Sequence, residues 1–285
     1  MRKKLAALFM ASFMCLGLVA CGGGSKEADS ADDSTNVAES PSTDSSSSEV
    51  VADKAKVQEK GKIVIGITDF EPMDYKDADG KWIGFDADMA NAFAESLGVE
   101  AEFVEIEWDN KVLELSSGNI DCVWNGMTLT DEVKSSMDCS NPYCNNAQIV
   151  IVPSDKADQY QTIDSIKDLN FAVEVGSAGE AEAKANELKY TSVSNQASAL
   201  MEVAAGTADG AIIDSLMAAA MVGEGTSYEN LTYTVGLNSE EYGVGFRQGS
   251  DLVAEMNTFL KTSYDDGSME KIAENYGVQA AIIAQ

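Results

Sequence analysis

A polar segment that follows an apolar run has residue types suited to holding a small anion. The segment GMTLTDEVKSSM spans residues 126–137 and follows the run IDCVW. Thr130 is a good N-cap residue, and a helix beginning there would direct backbone N–H groups and the positive end of its dipole towards an anion. The first turn nevertheless contains two acidic residues and then Val133, with no arginine. The segment therefore indicates an anion site in which the first helical turn supplies no arginine.

The composition excludes several kinds of chemistry. The 285 residues include no histidine, so Ser-His-Asp or Cys-His catalysis and histidine metal sites are ruled out. The 48 acidic residues against 19 basic ones give a formal net charge of −29. Because phosphate contacts depend on lysine and arginine, this balance argues against a nucleic-acid partner. We expect neither a metal nor an organic cofactor.

The five cysteines fall into two groups. Cys15 and Cys21 belong to the N-terminal segment, while Cys122, Cys139 and Cys144 lie in the part of the chain expected to fold. Cys122 sits within the apolar run IDCVW and is expected to be a buried thiol. A disulfide between Cys139 and Cys144 is compatible with the sequence, but neither spacing nor composition requires it.

The N-terminal residues have the pattern of a lipoprotein signal peptide, residues 1–20. A basic start precedes an apolar run, and small residues precede Cys21, the expected lipidation site. An ordinary secretory peptide with a coincidental cysteine is the alternative. Residues 21–56 are rich in serine, aspartate and glycine and contain almost no bulky apolar side chains. We expect them to form a flexible linker between the membrane and the folded domain.

Apolar runs alternate with helical patterns in the rest of the chain. KIVIGIT at residues 62–68 predicts a strand, and residues 84–98 predict a helix with Asp86 as its cap and Gly98 at its end. The alternation restarts with FAVEVG at residues 171–176. Two successive runs of this kind predict an α/β protein with two lobes.

Seven segments, in order from about Gly61 to Gly277, resemble the polar amino-acid binding proteins of bacterial ABC importers, which are solute-binding proteins of family 3. The segments are GFDADM, WDNKVLELSSGNIDC, NGMTLTDE, MDCSNPY, ADGAIID, EEYGVGFRQGSD and DDGSMEKIAENYG. The match covers nearly the whole part expected to fold. Each segment alone is a weak signal, but seven in register are specific.

The resemblance implies the type II periplasmic-binding-protein fold. Each lobe would be an open, mostly parallel sheet flanked by helices, and two hinge strands near 149–152 and 242–246 would join the lobes. Lobe one would comprise 57–149 plus 244–285, and lobe two 150–243. A ligand would bind in the cleft at the strand ends, and the lobes would close over it.

The resemblance also assigns ligand-binding roles to residues of lobe one. Asp69 would be a polar contact, and Phe70 and Trp108 would be aromatic walls that clamp the apolar part of a ligand and favour a cation. The alternative for both aromatics is a place in the lobe core. The Gly126 carbonyl and the Thr128 hydroxyl would contact the ligand's amino group.

Lobe two would contribute a second set of contacts. The Asp214 carboxylate would pair with the ligand's ammonium group, and its alternative role is to cap the helix that begins at Ser215. Gly176 and Ser177 would present backbone N–H groups and a hydroxyl to a carboxylate. Glu174 either attracts a cationic ligand or faces solvent, and the sequence leaves this open.

The anion segment departs from the family pattern at Val133. Relatives usually continue Thr-x-Glu-Arg, and the arginine binds the ligand's α-carboxylate, a contact that valine does not replace. Three alternatives remain open: backbone donors at this turn and Ser177, the neighbouring Lys134, or a ligand without an α-carboxylate in the usual place. The acids and aromatics favour positive charge, so cationic amino acids or amines are expected to bind more tightly than ordinary zwitterions.

Signal, linker and resemblance together predict a lipid-anchored binding component of an ABC importer rather than an enzyme. It would act as a monomer on the extracellular face of the bacterial membrane and deliver an amino acid or small amine to permease and ATPase subunits. The alternatives are a ligand-sensing receptor module and a dehydratase-like enzyme on the same fold, with Glu174 as a general acid.

Overall fold

The computed structural model describes residues 51–285 of the chain. The predicted signal peptide at 1–20, the lipidation site Cys21 and the predicted linker up to residue 50 lie outside the described residues. In the part that is described, no helix is both long and apolar enough to span a membrane.

Helices and strands alternate along the described chain. The helices are α1 (Asp53–Lys60), α2 (Phe85–Leu97), α3 (Lys111–Ser117), α4 (Asp131–Ser136), α5 (Ile163–Ile166), α6 (Ala178–Ala185), α7 (Gln196–Ala205), α8 (Ser215–Met221), α9 (Leu252–Asp265) and α10 (Ser268–Tyr276). The strands are β1 (Lys62–Ile67), β2 (Tyr75–Lys76), β3 (Trp82–Ile83), β4 (Glu100–Glu105), β5 (Cys122–Thr128), β6 (Asp138–Cys139), β7 (Cys144–Asn146), β8 (Gln148–Pro153), β9 (Asn170–Glu174), β10 (Lys189–Val193), β11 (Gly210–Asp214), β12 (Leu231–Gly236) and β13 (Glu240–Phe246).

Two sheets form the two lobes. The first has the strand order β4-β1-β5-β13-β6, with β7 also paired to β13, and the second has the order β10-β9-β11-β8-β12. In the first sheet β1 is parallel to β4 and β5, and in the second β9 is parallel to β10 and β11. The strands next to the crossings, β8 and β13, pair antiparallel with their neighbours. The predicted two-lobe α/β architecture is confirmed.

The chain crosses between the lobes twice, each time through a short segment. It passes from β7 in the first sheet to β8 in the second, and it returns from β12 to β13. Gln148 and Ile149 pair with β11 of the second sheet, whereas Tyr242 and Gly243 pair with β5 of the first. The chain therefore passes from one sheet to the other a few residues before the lobe boundaries expected at 149/150 and 243/244.

Unbroken apolar runs form the central strands. In β1 every residue from Ile63 to Ile67 is buried, as is typical of a parallel strand covered on both faces. Helix α2 packs on the first sheet through residues spaced by four, namely Phe85, Met89, Phe93 and Leu97. The helix ends at Gly98, which has φ of +74°. Both elements were predicted from the sequence.

The expected role of Asp86 as the cap of α2 is wrong. Gly84 precedes the helix with φ of +126°, and a Cβ at that position would lie 2.2 Å from the Met73 carbonyl oxygen. Asp86 points into the core instead, where its Oδ2 accepts hydrogen bonds from the Gly126 N–H at 2.6 Å and the Tyr143 hydroxyl at 2.7 Å. The carboxylate thus supports the strand end that forms the cleft wall.

Arg247 ties the N-terminal helix to the first sheet. Its guanidinium donates to Asp53 at 3.1 Å and to the Ile120 carbonyl at 2.7 Å. Helix α1 begins at Asp53, so the last four residues of the expected linker, 53–56, are part of the folded lobe.

The three cysteines in the described residues are free thiols. Cys122 is buried in β5, as expected. Cys139 of β6 pairs with Gly245 of β13, and Cys144 of β7 pairs with Tyr242 of the same strand, three residues away. The disulfide that the sequence left open is not formed.

Candidate functional site

A cleft of about 470 Å³ lies between the lobes, where strands β5, β9 and β11 end. This is the place where open α/β sheets usually bind ligands. Both lobes contribute to its walls. Eight of the sequence-predicted contacts line it: Phe70, Trp108, Gly126, Thr128, Glu174, Gly176, Ser177 and Asp214. Asp69 is exposed and is not among the lining residues.

The two aromatic residues belong to the cleft and to the core at once. Phe70 packs edge-on against Tyr242, with ring centroids 6.4 Å apart. Trp108 packs on the cluster around Val123 and Met127, and Lys111 Nζ lies 4.9 Å from the centroid of its ring. The cationic group on the Trp108 ring therefore comes from the protein itself.

Asp214 is surrounded by hydrogen-bond donors. Its Oδ1 accepts from Tyr242 at 2.7 Å, from the Gln148 side chain at 2.9 Å and from Asn146, and its Oδ2 accepts from Gln196. It makes no capping bond to helix α8. A carboxylate oxygen offers about two acceptor positions, so the three donors crowd Oδ1 while Oδ2 keeps one position.

Glu240 forms a second carboxylate beside Asp214. Its Oε1 accepts from Thr128 Oγ1 at 2.8 Å, from Asn146 at 2.7 Å and from Gln148 at 2.8 Å. Burial, with a further effect of Glu240, raises the pKa of Asp214 to about 8. The two acids share the amide groups at the lobe crossing, and the Thr128 hydroxyl donates to Glu240.

The hydrogen-bonding groups at the start of helix α6 also have partners within the protein. Ser177 caps the helix by accepting from the Glu180 N–H at 3.1 Å. The Gly176 N–H donates to Glu180 Oε2 at 3.2 Å, and the Ser177 N–H donates to the Glu174 carbonyl at 3.3 Å. The backbone donors expected to receive a carboxylate thus have partners within the protein.

Glu174 is buried in the wall of the cleft. Its side chain is only 3% exposed, and its Oε1 has no hydrogen-bond partner among the described residues. Burial and the nearby Asp214 raise the pKa of Glu174 to about 8, while Lys111 acts in the opposite direction. The carboxyl group faces the cleft rather than bulk solvent.

Lys111 is a cleft residue that the sequence reasoning missed. It is 9% exposed, and its ammonium donates to the Gly176 carbonyl of the other lobe at 3.0 Å and to the Trp108 carbonyl at 3.2 Å. Burial lowers the pKa of Lys111, and Glu174 opposes this shift. The available signal was a lysine one turn before the buried Leu115, on the apolar face of α3.

The predicted cap at Thr130 is confirmed. Its Oγ1 accepts a hydrogen bond from the Val133 N–H at 3.1 Å, and Thr130 is the N-cap residue of α4. Val133 is buried, lines the cleft and packs with Met127 and Met137. Lys134 is exposed and is not among the lining residues, so the structure gives no support to the alternative in which it receives a ligand carboxylate.

Charged side chains of the cleft are mostly acidic. The lining carboxylates are Asp109, Asp131, Glu132, Glu174, Glu180 and Asp214, and the lining ammonium groups are Lys111 and Lys184. Among the described residues, no group of three acidic or cysteine side chains is arranged to hold a metal ion.

Residues 63–279 match the model of the bacterial extracellular solute-binding proteins, family 3. The chain belongs to this family. A probable histidine-binding protein of Neisseria gonorrhoeae is 29% identical over 297 residues, with 99% of each chain covered. An arginine-binding extracellular protein of Bacillus subtilis is 28% identical over 224 residues, covering 76% of this chain and 86% of the relative.

Solved structures of amino-acid-binding proteins agree with the fold. One similar structure is an ancestral amino-acid-binding protein described as a precursor of cyclohexadienyl dehydratase. It is 32% identical, covers 79% of this chain and 99% of its own, and has a TM-score of 0.72. These similar proteins are described as binding histidine, arginine or amino acids, and one of them as the precursor of an enzyme.

Proposed function

We propose that the protein is the lipid-anchored substrate-binding component of an ABC importer. It captures an amino acid or a related small amine in the cleft between the lobes and delivers it to the permease. The observation that carries this proposal is Glu174, a buried carboxyl group with an unpartnered oxygen in the wall of a cleft built from both lobes. A buried polar atom of this kind calls for a partner, and a ligand ammonium group supplies one.

Charge supports a ligand that carries positive charge. Six acidic side chains and two lysines line the cleft, and a bound cation favours the ionised forms of Glu174 and Asp214. In a partly desolvated space this excess of acidic groups attracts cations and repels a ligand with a second carboxylate. Arginine, lysine, histidine or an amine should therefore bind more tightly than glutamate or aspartate.

Contacts between the lobes support capture by closure. The Gly176 loop of the second lobe lies against Asp109 of the first, where a Cβ at Gly176 would be 2.7 Å from the Asp109 Oδ1. Lys111 reaches the same loop. Movement about the two short crossings would open and close this contact, which lets a solute enter and leave.

Anchoring would come from lipid on Cys21, with the protein on the extracellular face of the cell membrane. We expect Cys21→Ala to move the protein from the membrane fraction to the soluble fraction and to abolish labelling by palmitate. One acyl chain alone binds membranes reversibly, so stable anchoring requires a second membrane-binding signal besides one chain on Cys21. Retention of the Cys21→Ala protein in the membrane fraction would contradict this assignment.

The first test is a thermal-shift and calorimetric screen of the protein, unfolded and refolded to remove carried-over ligand. The panel holds the common amino acids, cystine and simple amines. A ligand at about 100 times its Kd stabilises the folded state by about 2.7 kcal/mol. We expect a cationic amino acid or amine to raise the midpoint and glutamate to leave it unchanged. Tight binding of glutamate or aspartate would reject the preference for positive charge.

A second candidate function is catalysis of a dehydration. Its support is the raised pKa of Glu174, about 8, which keeps this group protonated at neutral pH as a general acid requires. The similarity to an ancestral amino-acid-binding protein described as a dehydratase precursor also supports this candidate function. Incubation with a cyclohexadienyl acid, followed by a search for the dehydrated product, separates the two functions.

A further inference from the structure

The hydroxyl group of Thr128 uses its only proton within the protein. Thr128 Oγ1 donates to Glu240 Oε1 at 2.8 Å and accepts no hydrogen bond from the residues that the structure describes. A hydroxyl group has one proton and two lone pairs, so the oxygen can otherwise only accept. Because Thr128 lines the cleft at the end of β5, it offers a ligand an acceptor and no donor.

The direction of this hydrogen bond follows from the other partners of Glu240. Its Oε1 also accepts from Asn146 Nδ2 at 2.7 Å and from Gln148 Nε2 at 2.8 Å. The orientation of the Asn146 amide is set by its oxygen, which accepts from the Leu216 N–H at 3.4 Å. A carboxyl oxygen that faces two amide N–H groups does not itself carry a proton. The Thr128 hydroxyl is therefore the donor.

Both crossings between the lobes hold Glu240 in this position. Asn146 and Gln148 flank the first crossing, and Asn238 lies in the second. Asn238 donates to the other carboxylate oxygen of Glu240, Oε2, at 2.9 Å, and its own oxygen accepts from the Gln148 N–H at 2.6 Å. The carboxylate beside Thr128 is thus fixed by hydrogen bonds from two separate segments of the chain.

Asp214 provides a second acceptor, from the opposite lobe. Three donors converge on its Oδ1, whereas its Oδ2 accepts only from Gln196 among residues 51–285 and keeps one position. A bound ammonium group favours the ionised form of this carboxyl group. Asn146 Nδ2 donates to both Asp214 Oδ1 and Glu240 Oε1, so Asp214 and Thr128 lie on either side of one amide group.

An ammonium group matches two neighbouring acceptors better than a hydroxyl group does. The ammonium has three N–H donors, whereas a hydroxyl donates to one acceptor only and turns a lone pair towards the other. Hydrogen bonds from a charged donor are also stronger than those from a neutral one. If Thr128 were free to donate into the cleft, a ligand hydroxyl would gain a partner, and the preference for the ammonium would decrease.

We infer that Glu240 is a positioning residue that makes the end of β5 selective for a ligand ammonium group. By accepting the Thr128 proton, it prevents this hydroxyl from donating to a ligand, although Glu240 is not among the residues that line the cleft. The inference deepens the proposed function and rests on it. Selectivity at this position is thus set by a residue at a lobe crossing.

The experiment measures, by calorimetry, the Kd of arginine and of argininic acid, its 2-hydroxy counterpart. If another amino acid binds more tightly in the first screen, that amino acid and its 2-hydroxy acid replace them. The selectivity ratio is the Kd of the hydroxy acid divided by the Kd of the amino acid. For the wild-type protein we expect a ratio of about ten to a hundred, the range for hydrogen bonds to a charged group.

Three variants test the role of the Glu240 carboxylate. Glu240→Met removes the acceptor of the Thr128 proton and should lower the selectivity ratio about tenfold. Glu240→Gln loses the charge but keeps an oxygen that can accept this proton, so it should retain most of the selectivity. Glu241→Met is the matched control, because Glu241 is the exposed neighbour in the same strand, and it should leave the ratio unchanged.

A double-mutant cycle with Thr128→Val separates this role from a general effect of charge or structure. Valine keeps the shape of threonine but has no hydroxyl group. If Glu240 acts through that hydroxyl, Glu240→Met should change the ratio by about twofold or less in the Thr128→Val background. An effect of equal size in both backgrounds would overturn the inference.

The inference remains testable if Glu240→Met does not fold. Glu240→Ala then takes its place in the cycle. Thr128→Val alone also tests the contact, because a selectivity ratio equal to that of the wild type would show that the Thr128 hydroxyl does not recognise the ammonium group. That result would overturn the inference.

Failure of this inference is distinct from failure of the proposed function. Amino-acid binding with an unaltered ratio in Glu240→Met overturns the inference and leaves the proposed function in place. The same holds if Glu240→Gln lowers the ratio as much as Glu240→Met does, since charge rather than acceptance of the proton would then be responsible. If no amino acid or amine binds the wild-type protein, both are rejected.

Discussion

Gly126 lets Phe70 form one wall of the cleft, because no side chain fits at its position. Its φ is +51°, and a Cβ there would lie 2.5 Å from Phe70 Cε1 and 3.1 Å from Tyr242 Cε2. We expect Gly126→Ala to displace the Phe70 ring, to weaken ligand binding, and to lower the free energy of unfolding by about 1–3 kcal/mol from overpacking, beyond the cost of backbone strain. Urea unfolding and calorimetry measure the two effects.

Gly118→Ala is the control for backbone strain. Gly118 also has a positive φ, +79°, but nothing lies within 4 Å of an added Cβ. Its substitution should cost only about 1 kcal/mol and leave ligand binding unchanged. Equal losses of stability in the two variants would show that the contact with Phe70 has no energetic importance.

The location of single residues in the cleft wall could be predicted where the family resemblance places them at or just after a strand end. Phe70, Glu174 and Asp214 are examples, because each lies where an apolar strand stops and polar residues begin. Lys111 could not be found this way, since its contact with Gly176 exists only when α3 of one lobe meets a loop of the other. The sequence pattern of neither segment indicates this contact between the lobes.

The two crossings between the lobes are linked by hydrogen bonds between amide side chains and two carboxyl groups. Asn146 and Gln148 flank one crossing and donate to both Asp214 and Glu240, and Glu240 begins the strand that follows the other. Two carboxylates held together by shared amides repel each other. The charge state of this pair therefore bears on how firmly the strands at the crossings are fixed.

We expect Glu240→Gln to reduce the pH dependence of stability. Asp214 has its pKa raised from 3.8 to about 8 by burial and by Glu240. A raised folded-state pKa gives stability that is complete below the unfolded value and is lost as the pH rises through the folded value. Without the Glu240 charge the pKa of Asp214 falls, so the loss of stability between about pH 6 and about pH 8 should shrink.

Glu241→Gln is the matched control, because Glu241 is exposed and adjacent in the same strand. It should keep the wild-type pH profile in thermal unfolding. If Glu240→Gln leaves the pH dependence of thermal unfolding unchanged, the Glu240 charge does not affect the pKa of Asp214.

Elements with strong periodicity were predictable, and their terminal contacts were not. Strand β1 and helix α2 follow from apolar patterning alone. The cap of α2 was misassigned because Asp86 is a suitable cap residue by type, yet tertiary contact with Gly126 and Tyr143 draws it into the core. The residues at which the chain passes from one sheet to the other were also not predictable, because they depend on pairing with strands that are distant along the chain.

At the scale of the whole molecule, buried acids and net charge act in the same direction. Burial raises the pKa of Asp86 to about 7, of Glu174 to about 8 and of Asp74 well above its ordinary value. Each group favours the folded state while protonated and loses that contribution as the pH rises through its folded pKa. A formal charge of −29 adds general repulsion at neutral and higher pH.

We expect the thermal midpoint to be higher at about pH 5.5 than at about pH 8.5. Glu174→Gln should remove part of this difference, because the amide does not ionise. Added salt should raise the midpoint most at the higher pH, where it screens the largest net charge. A midpoint that increases steadily from about pH 5.5 to about pH 8.5 would contradict the assignment of protonated buried acids.

The position of Trp108 has an optical consequence. Of the three tryptophans, Trp124 is buried in the core and Trp82 lies on a hairpin strand beneath Lys76, so Trp108 alone lines the cleft. A solute that draws the Lys111 ammonium away from its indole ring changes the electric field at that one fluorophore. The protein thus contains its own emission reporter, and a Trp108→Phe variant should lose the fluorescence change on solute binding while the other two tryptophans continue to emit.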